Sequence, residues 1–271
     1  MDNQIIYELI NQVKSNKKYK SISDEIIKNE INDYLKKNPI SKISKQDIKV
    51  IRNSLHKSYA SFQTRKKNKI QIYLNELKNN PDNQEITNNL LSITLSTKER
   101  LNDYPDIYKK IFTITGKPKI IIDLGAGFNL FSYPLMNLRM LEYYSYDINE
   151  KDIDYLNEYY KIMKPKGLYG NAAILDLRDL RQISFLPSSD ILFLFKLIDI
   201  IDKENHKPSE ELIKKLILKT KFIIASFATK TITRKSMNFP NRKWFELMLE
   251  RNKLKFEIIN TDNEIFYVIK I

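Results

Sequence analysis

The chain changes its hydrophobic pattern at Gly116, and this change constrains the fold more than any other feature. After Gly116, short apolar runs alternate with amphipathic stretches of helical periodicity. The runs are KIIIDL, EYYSYD, LYGNAAIL, DILFLF, KFIIASF, FEIIN and EIFYVIKI. This alternation predicts a mostly parallel β-sheet covered by helices on both faces. The last two runs are separated only by the turn-like TDNE, so they should form an antiparallel hairpin at the edge of the sheet.

The region before Gly116 reads as helices separated by short polar breaks. Apolar residues such as Ile6, Leu9 and Val13 recur at helical spacing, and no stretch has the convincing pattern of a strand. The sequence therefore predicts two domains, a helical N-terminal domain at residues 1–113 and an α/β domain at residues 114–271.

The charge of the chain favours a polyanionic partner. Its 271 residues include 46 Lys and Arg against 33 Asp and Glu, a formal net charge of +13, and RNA, DNA and an anionic membrane all meet that requirement. No apolar run approaches the roughly eighteen residues of a membrane span, and the first residues lack a signal-peptide core. We therefore expect a soluble, cytoplasmic protein without a membrane partner.

The absence of cysteine excludes several kinds of site. A disulfide, a zinc site built on thiolates and a thiol nucleophile all require that residue. The two histidines, His56 and His206, stand far apart among polar neighbours and match no metal or catalytic-triad pattern. We therefore expect no metal, and histidines that are solvated or locally hydrogen-bonded.

A glycine-containing loop, DLGAGFN at residues 123–129, follows the first predicted strand, and a helix is expected from about Phe131. In an α/β fold a ligand binds in this crevice, where glycine lets the backbone pass close to it. Nicotinamide enzymes use a third glycine near the pyrophosphate, but Leu130 stands at that position here. S-adenosylmethionine has no pyrophosphate, so the loop favours this cofactor. The candidate cofactor contacts in the loop are Asp123, Gly125, Ala126, Gly127 and Asn129.

Acidic residues follow the second and third predicted strands. Asp147 ends the second strand, twenty residues after Gly127, where its carboxylate can accept hydrogen bonds from both ribose hydroxyls, with Ile148 beside it. Asp176 follows the third strand and could meet the adenine amine while Leu177 covers the ring. Two alternatives stay open: Asp147 is an ordinary strand-end turn residue, or Asp176 is half of a salt bridge within its own loop.

The end of the fourth predicted strand should face the methyl acceptor. Phe195, also a candidate cofactor contact, and Lys196 lie there, and Lys230 is the third candidate on the acceptor side. The segment lacks the Asn/Asp-Pro-Pro-aromatic pattern of enzymes that methylate exocyclic amines, and carbon methylation through a cysteine adduct needs a cysteine. Guanine N7 fits what remains, because its exposed lone pair can attack a sulfonium after positioning alone, without a general base.

Five stretches of the chain match a known family. They are STKERLNDYPDIYKKIF at 96–112, IIDLGAGFNLFSYPLM at 121–136, YSYDIN at 144–149, ILFLFKLI at 191–198, and SFATK with a basic loop and KWFE at 226–246. Through them the chain resembles the aminoglycoside-resistance 16S ribosomal RNA guanine-N7 methyltransferases, the Arm family. The resemblance implies a class I S-adenosylmethionine-dependent methyltransferase fold, with a Rossmann-like, seven-stranded, mostly parallel sheet that follows a helical N-terminal domain.

The resemblance also implies roles for particular parts of the chain. In that family the arginine of the STxER stretch approaches the methionyl carboxylate of the cofactor, which implies Arg100 here. The alternative is that Arg100 pairs with Asp103 or Asp106 on its own helix. The N-terminal domain would grip the 30S ribosomal subunit, and the methylated base would be guanine 1405 of 16S rRNA. Methylation there would give resistance to gentamicin- and kanamycin-type drugs.

Two basic clusters are candidate RNA contacts. The first also contains aromatic residues, so it could follow phosphates while stacking on exposed bases, and the second is near the predicted acceptor edge. A solvated surface is the alternative for each. The candidates are Lys57, Arg65, Lys66, Lys67 and Lys69 in the first cluster, and Lys230, Arg234 and Lys235 in the second.

The chain departs from the family pattern at Leu130, Asp199 and Ala228, where the family has proline. These differences spare the predicted cofactor contacts and lie mainly toward the acceptor side, so an altered target or a housekeeping role stays open. The leading hypothesis is a monomeric methyltransferase of guanine N7 in the decoding region. The alternatives are a methyltransferase of the same fold for another RNA base, a protein or a small molecule, and a catalytically idle ribosome-binding protein.

Overall fold

Helices form the first part of the chain. The computed structural model describes residues 3–39, 42–56, 65–202, 206–230 and 241–271. Within these ranges, the chain before Gly116 forms seven α-helices and no strand, as the periodicity predicts. The helices are α1 (Asn3–Lys14), α2 (Asp24–Lys37), α3 (Lys45–Leu55), α4 (Ile70–Asn79), α5 (Gln84–Leu91), α6 (Leu95–Arg100) and α7 (Tyr104–Thr115).

A seven-stranded sheet forms the second part of the chain. The strands are β1 (Ile120–Leu124), β2 (Leu141–Asp147), β3 (Leu168–Ile174), β4 (Ser189–Phe195), β5 (Thr220–Ala228), β6 (Lys255–Asn260) and β7 (Glu264–Lys270). Their order is β3-β2-β1-β4-β5-β7-β6, in which β1 to β5 run parallel and β7 pairs antiparallel with both β5 and β6. The predicted parallel core and the hairpin at the sheet edge are confirmed.

Neighbouring side chains on a strand point to opposite faces of the sheet. Both faces carry apolar side chains here, and helices cover both. Ile121 of β1 belongs to a buried cluster on one face, and Ile122 belongs to the cluster on the other. Four further helices lie among the strands: α8 (Glu150–Met163), α9 (Ile198–Ile201), α10 (Lys207–Leu216) and α11 (Lys243–Arg251). The first face packs against α8 and against α4, α5 and α7, and the second packs against α9, α10 and α11.

The N-terminal helices divide into two groups by what they bury. Helices α4, α5 and α7 pack with the 3₁₀ helix after β1 and with the sheet in one continuous core, and we call α4 to α7 the sheet-bound helices. Helices α1 to α3 enclose a separate core that includes Leu9, Ile27 and Ile51, and we call them the N-terminal bundle. The buried clusters thus divide the chain between α3 and α4, and the predicted domain boundary at residue 113 stays a prediction.

The segment after the glycine loop differs from the α-helix expected from about Phe131. It forms a 3₁₀ helix, Asn129–Met136, which ends at Asn137 in a left-handed backbone conformation. Pro134 lies inside this segment, where it has no N–H to donate and where, in an α-helix, its ring would clash with the carbonyl one turn earlier.

No helix in the described ranges is both long and apolar enough to cross a membrane.

Candidate cofactor site

A cavity of about 450 Å³ lies at the carboxyl ends of the parallel strands β1 to β4. This is the edge where α/β folds bind ligands, because the loops that follow neighbouring parallel strands meet there. Eight of the predicted cofactor and acceptor-side residues line the cavity together: Gly125, Gly127, Asp147, Ile148, Asp176, Leu177, Phe195 and Lys196.

The loop after β1 has a shape that only glycine adopts readily. Gly125 and Gly127 have φ angles of +65° and +50°, in the left-handed region. A Cβ atom added to Gly125 would lie 2.8 Å from Cδ1 of Leu197, which also lines the cavity. Glycine at this position therefore lets the loop backbone approach Leu197 closely at the cavity wall.

Asp147 is held by the backbone around it. Its Oδ2 accepts a hydrogen bond of 2.8 Å from the N–H of Gly127, and its Oδ1 accepts one of 2.7 Å from the N–H of Ile148. The carboxylate is thus fixed at the cavity wall while lone pairs remain to accept hydrogen bonds from a diol. The turn role considered from the sequence is present, and it is compatible with ligand binding.

Asp176 is almost fully buried and bonded to two partners. Its carboxylate accepts hydrogen bonds from the guanidinium of Arg178, at 2.8 Å from Nη2, and from Nδ2 of Asn29 at 3.0 Å. Burial alone would raise the pKa of Asp176, but the hydrogen bonds and charge of Arg178 outweigh it and hold the pKa below its ordinary value. The loop salt bridge considered as an alternative therefore exists, and Asp176 still lines the cavity.

Arg100 forms a buried ion pair across the molecule. Its Nε lies 2.8 Å from Oε2 of Glu264 on β7, and the side chains are 4% and 1% exposed. Its Nη1 also donates to the hydroxyl of Tyr104 at 3.3 Å and to Oδ1 of Asn129 at 3.4 Å. The partner of Arg100 in this ion pair is thus Glu264, whereas the alternative considered from the sequence was Asp103 or Asp106. The charge of Arg100 is held behind the cavity, next to the ring of Phe195.

Asp123 lies beneath the glycine loop instead of at the cavity surface. It accepts hydrogen bonds of 2.6 Å from the Tyr143 hydroxyl and 3.0 Å from Nδ2 of Asn129. Burial raises the pKa of Asp123 to about 6. Ala126 is buried as well. Direct contact of Arg100, Asp123, Ala126 or Asn129 with a cofactor stays a prediction, because the structure places these residues behind the cavity lining.

Lys196 has an unusual backbone and a paired side chain. Its φ is +54°, and its N–H donates to Oγ of Ser226 at 3.0 Å. Its ammonium lies 2.7 Å from Glu99 and 3.4 Å from Glu264, so two carboxylates fix it at the cavity wall. The third acceptor-side candidate, Lys230, is half-buried at the end of a described range and is not among the residues that line the cavity.

The structure places only some of the predicted RNA contacts. Lys69 is exposed, as expected of a phosphate contact. Lys67 differs from that expectation: its ammonium lies 2.7 Å from Oδ1 of Asp152 and 5.2 Å from the Phe128 ring centre, so the pair forms part of the cavity wall. Lys57, Arg234 and Lys235 lie outside the described residues, and so do the side chains of Arg65 and Lys66.

Several lining residues were missed by the sequence analysis. Thr94 and Ser96 come from the start of α6, and the STxER stretch that carries Arg100 could have indicated them. Ile22 and Asp33 come from the N-terminal bundle, for which no local motif gives a signal.

Across the described part of the chain, no group of three or more His, Asp or Glu side chains is placed to hold a metal ion.

Comparison with known proteins gives the family. The model of the family "Ribosomal RNA methyltransferase (FmrO)" matches residues 15–268. A protein of Proteus mirabilis named 16S rRNA (guanine(1405)-N(7))-methyltransferase is 27% identical over 247 residues, which are 84% of this chain and 81% of that protein. The family resemblance predicted from the sequence is therefore confirmed.

Solved structures share the fold. The 16S rRNA methyltransferase RmtF, crystallised in complex with S-adenosyl-L-homocysteine, has a TM-score of 0.81 and 20% identity, covering 100% of this chain and 99% of its own. The 16S rRNA methylase RmtB has a TM-score of 0.73 and 18% identity, with 98% of each chain covered. The fold is the class I methyltransferase fold that the sequence predicts. With the family match over residues 15–268, the chain belongs to the FmrO family of ribosomal RNA methyltransferases.

Proposed function

We propose that the chain binds S-adenosylmethionine in the cavity and transfers its methyl group to N7 of guanine 1405 in 16S rRNA. The observation that carries the proposal is the convergence of the glycine loop, the fixed Asp147 carboxylate and Asp176 on one cavity of suitable size. The named activity of the Proteus mirabilis relative supports the target.

The residues around the cavity suit the parts of this cofactor. Asp147 offers fixed acceptors to the two ribose hydroxyls, and the apolar side chains of Ile148 and Leu177 can cover the adenine ring. Asp176, whose pKa is held low, is a carboxylate at neutral pH and can accept from the exocyclic amine. Gly125 and Gly127 leave room for the methionyl chain next to the loop backbone.

The chemistry asks the protein for positioning more than for proton transfer. The cofactor supplies an electrophilic methyl group on a sulfonium. The N7 lone pair forms the new N–C bond as the S–C bond breaks, the positive charge moves to the purine, and no proton leaves. The chain's part is to hold the reactants in line and exclude water. Phe195 and Lys196 lie at the cavity wall, where they can orient the base.

The RNA partner is supported by charge. The net charge of +13 favours association with RNA, and exposed Lys69 is one contact for phosphates. We propose that the substrate is the 30S subunit in the cytoplasm, that the chain acts as a monomer, and that methylation protects the ribosome from gentamicin- and kanamycin-type drugs.

The cofactor step is tested by titrating S-adenosylhomocysteine into the protein in a calorimeter. We expect Asp147→Ala to weaken binding about 10- to 100-fold, because hydrogen bonds to a charged group contribute roughly 1.5–3 kcal/mol. Asp147→Asn serves as a second variant that retains the shape of the side chain. The matched control is Asp154→Ala, which removes an exposed carboxylate from α8. Absence of binding in the wild-type protein would favour a non-catalytic ribosome-binding role.

The transfer step is tested with tritiated S-adenosylmethionine and purified 30S subunits. We expect the label in 7-methylguanosine after the RNA is digested to nucleosides, and an initial rate about 10- to 100-fold lower with Asp147→Ala at limiting cofactor. Label in ribosomal protein or in another nucleoside would replace the proposal with a methyltransferase of the same fold and a different acceptor.

A further inference from the structure

The N-terminal bundle docks on the loop that follows β2. Ile22 forms an antiparallel bridge with Asn149, and the N–H of Glu150 donates to the carbonyl of Ser21 at 3.0 Å. Nδ2 of Asn149 also donates to the Ser21 hydroxyl at 2.9 Å. The side chain of Ile148 packs against the core of the bundle. This loop is therefore joined to the bundle by backbone, side-chain and apolar contacts.

The bundle also docks on the loop that follows β3. The guanidinium of Arg178 lies 2.8 Å from Oε2 of Glu30 on α2, and it donates to the carbonyl of Ile26 at 3.1 Å. The same guanidinium donates to Asp176, which also accepts from Asn29 of α2. Glu30 and Asp176 are 7% and 3% exposed, so Arg178 links two largely dehydrated carboxylates. Charge-assisted hydrogen bonds of this kind are stronger than those between neutral groups.

These two loops carry the candidate ribose and adenine contacts. Asp147 ends β2 where the first loop begins, Ile148 belongs to that loop, and Asp176 belongs to the second. The bundle itself supplies Ile22 and Asp33 to the cavity wall. The cavity is therefore complete only when the bundle is docked.

The bundle is a distinct packing unit within the molecule. Its buried core is separate from the two cores that flank the sheet. A unit with its own core can shift as a rigid body when few contacts tie it to its neighbour. The ties described above concentrate on the two cofactor loops, so a ligand held by those loops would favour the docked position.

We infer that the N-terminal bundle is part of the cofactor site and that Arg178 is a positioning residue, which holds Asp176 in place through Glu30 of the docked bundle. The inference rests on the proposed cofactor. Because coupling between two equilibria is reciprocal, the bound cofactor fixes the bundle in its docked position. If the bundle contacts rRNA, the cofactor-loaded chain then presents one fixed surface to the 30S subunit.

A matched pair of variants on one helix tests the inference in the full-length protein. Glu30→Gln removes the charge that pairs with Arg178, and Glu25→Gln removes an exposed carboxylate from the same helix. We expect Glu30→Gln to raise the dissociation constant for S-adenosylhomocysteine at least about fivefold, the lower end of common coupling. Glu25→Gln should stay within about twofold of the wild-type protein. Equal affinity of all three proteins would overturn the inference.

Hydrogen–deuterium exchange of the wild-type protein gives a readout that does not depend on a variant. Saturating S-adenosylhomocysteine should slow exchange in α2 as well as in the loops after β1 to β4, because the ligand holds the bundle in place. The protection of α2 should shrink in Glu30→Gln and persist in Glu25→Gln. Protection confined to the loops would overturn the inference and leave the proposed function intact. Failure of the ligand to bind the wild-type protein would overturn both.

Discussion

The N-terminal bundle and the sheet-bound helices are both helical and precede the first strand, yet they are built into the molecule differently. The sheet-bound helices bury residues such as Leu74 and Ile107 in the same core as the sheet. The bundle buries Leu9 and Ile27 in a core of its own and contacts the sheet domain through loops. Two helical regions next to each other in sequence can therefore differ in whether they share the core of the sheet that carries the cofactor cavity.

The two regions consequently form different walls of the cavity. The sheet-bound helices supply Thr94 and Ser96 from a segment anchored by the buried Arg100 ion pair. The bundle supplies Ile22 and Asp33 across a mostly polar contact. We expect the first wall to be fixed and the second to depend on docking.

The largest expected difference concerns ion pairs. Arg100→Ala removes the nearer of the two cations beside the buried Glu264 carboxylate and leaves only Lys196 at 3.4 Å, so it should lower the free energy of unfolding by about 3 kcal/mol. Glu30→Gln retains a neutral acceptor for Arg178, which stays paired with Asp176, so it should cost only about 1 kcal/mol, the net value of one hydrogen bond. Denaturant unfolding measures both. Equal costs would contradict the assignment of a fixed and a docked wall.

Substitutions that leave a cavity should show whether the two cores unfold independently of each other. Ile107→Ala and Ile27→Ala each remove buried methyl groups and should cost about 3 kcal/mol in their own core. With Ile107→Ala, hydrogen exchange should speed up in the sheet and the sheet-bound helices together. With Ile27→Ala, it should speed up mainly in the bundle. If Ile27→Ala accelerated exchange throughout the sheet, the two cores would form one cooperative unit.

The carboxylates of Asp123 and Asp47 should change the free energy of unfolding with pH in opposite directions. Burial raises the pKa of Asp123 to about 6, so the folded state binds its proton more tightly than the unfolded state does. The free energy of unfolding should therefore fall by roughly 2 kcal/mol as the pH rises from about 4 to about 6, and Asp123→Asn should remove this decline. A variant with the wild-type slope over that pH range would refute this assignment.

Asp47 in the bundle has the reverse shift. Hydrogen bonds from Tyr34 and Ser44 lower the pKa of Asp47, so its contribution to stability is present above about pH 4 and is lost as the pH falls through the folded-state pKa. Asp47→Asn should remove that acid-induced loss for α3, measured by hydrogen exchange of the bundle. No difference from the wild-type protein under acidic conditions would show that these hydrogen bonds add no stability.

Helix caps give the smallest expected effect. Ser44 caps α3 in the bundle through the N–H of Asp47, and Asn83 caps α5 through the N–H groups of Glu85 and Ile86. Replacing either cap with alanine should cost about 1 kcal/mol. The loss in Ser44→Ala should appear in the exchange of the bundle, and that in Asn83→Ala should appear in global unfolding. Identical exchange patterns would weaken the distinction between the two regions.

Much of the fold and of the cavity could be predicted because the signals are local. Strand periodicity, the glycine loop and the spacing from Gly127 to Asp147 follow from residues near one another in sequence. The pairing of Arg100 with Glu264 could not be predicted, because it joins residues 164 positions apart. The same holds for Ile22 and Asp33, whose place in the cavity depends on how the bundle docks.

The position of the methyl group on 16S rRNA decides whether guanine 1405 is the target. Purified 30S subunits would be incubated with S-adenosylmethionine and the protein, treated with borohydride and aniline, and read by primer extension. Wild-type protein should give a cleavage stop at guanine 1405, and Asp147→Ala should give a stop that forms about 10- to 100-fold more slowly at limiting cofactor. A new stop at another guanine, or no stop at guanine 1405, would contradict the proposed target.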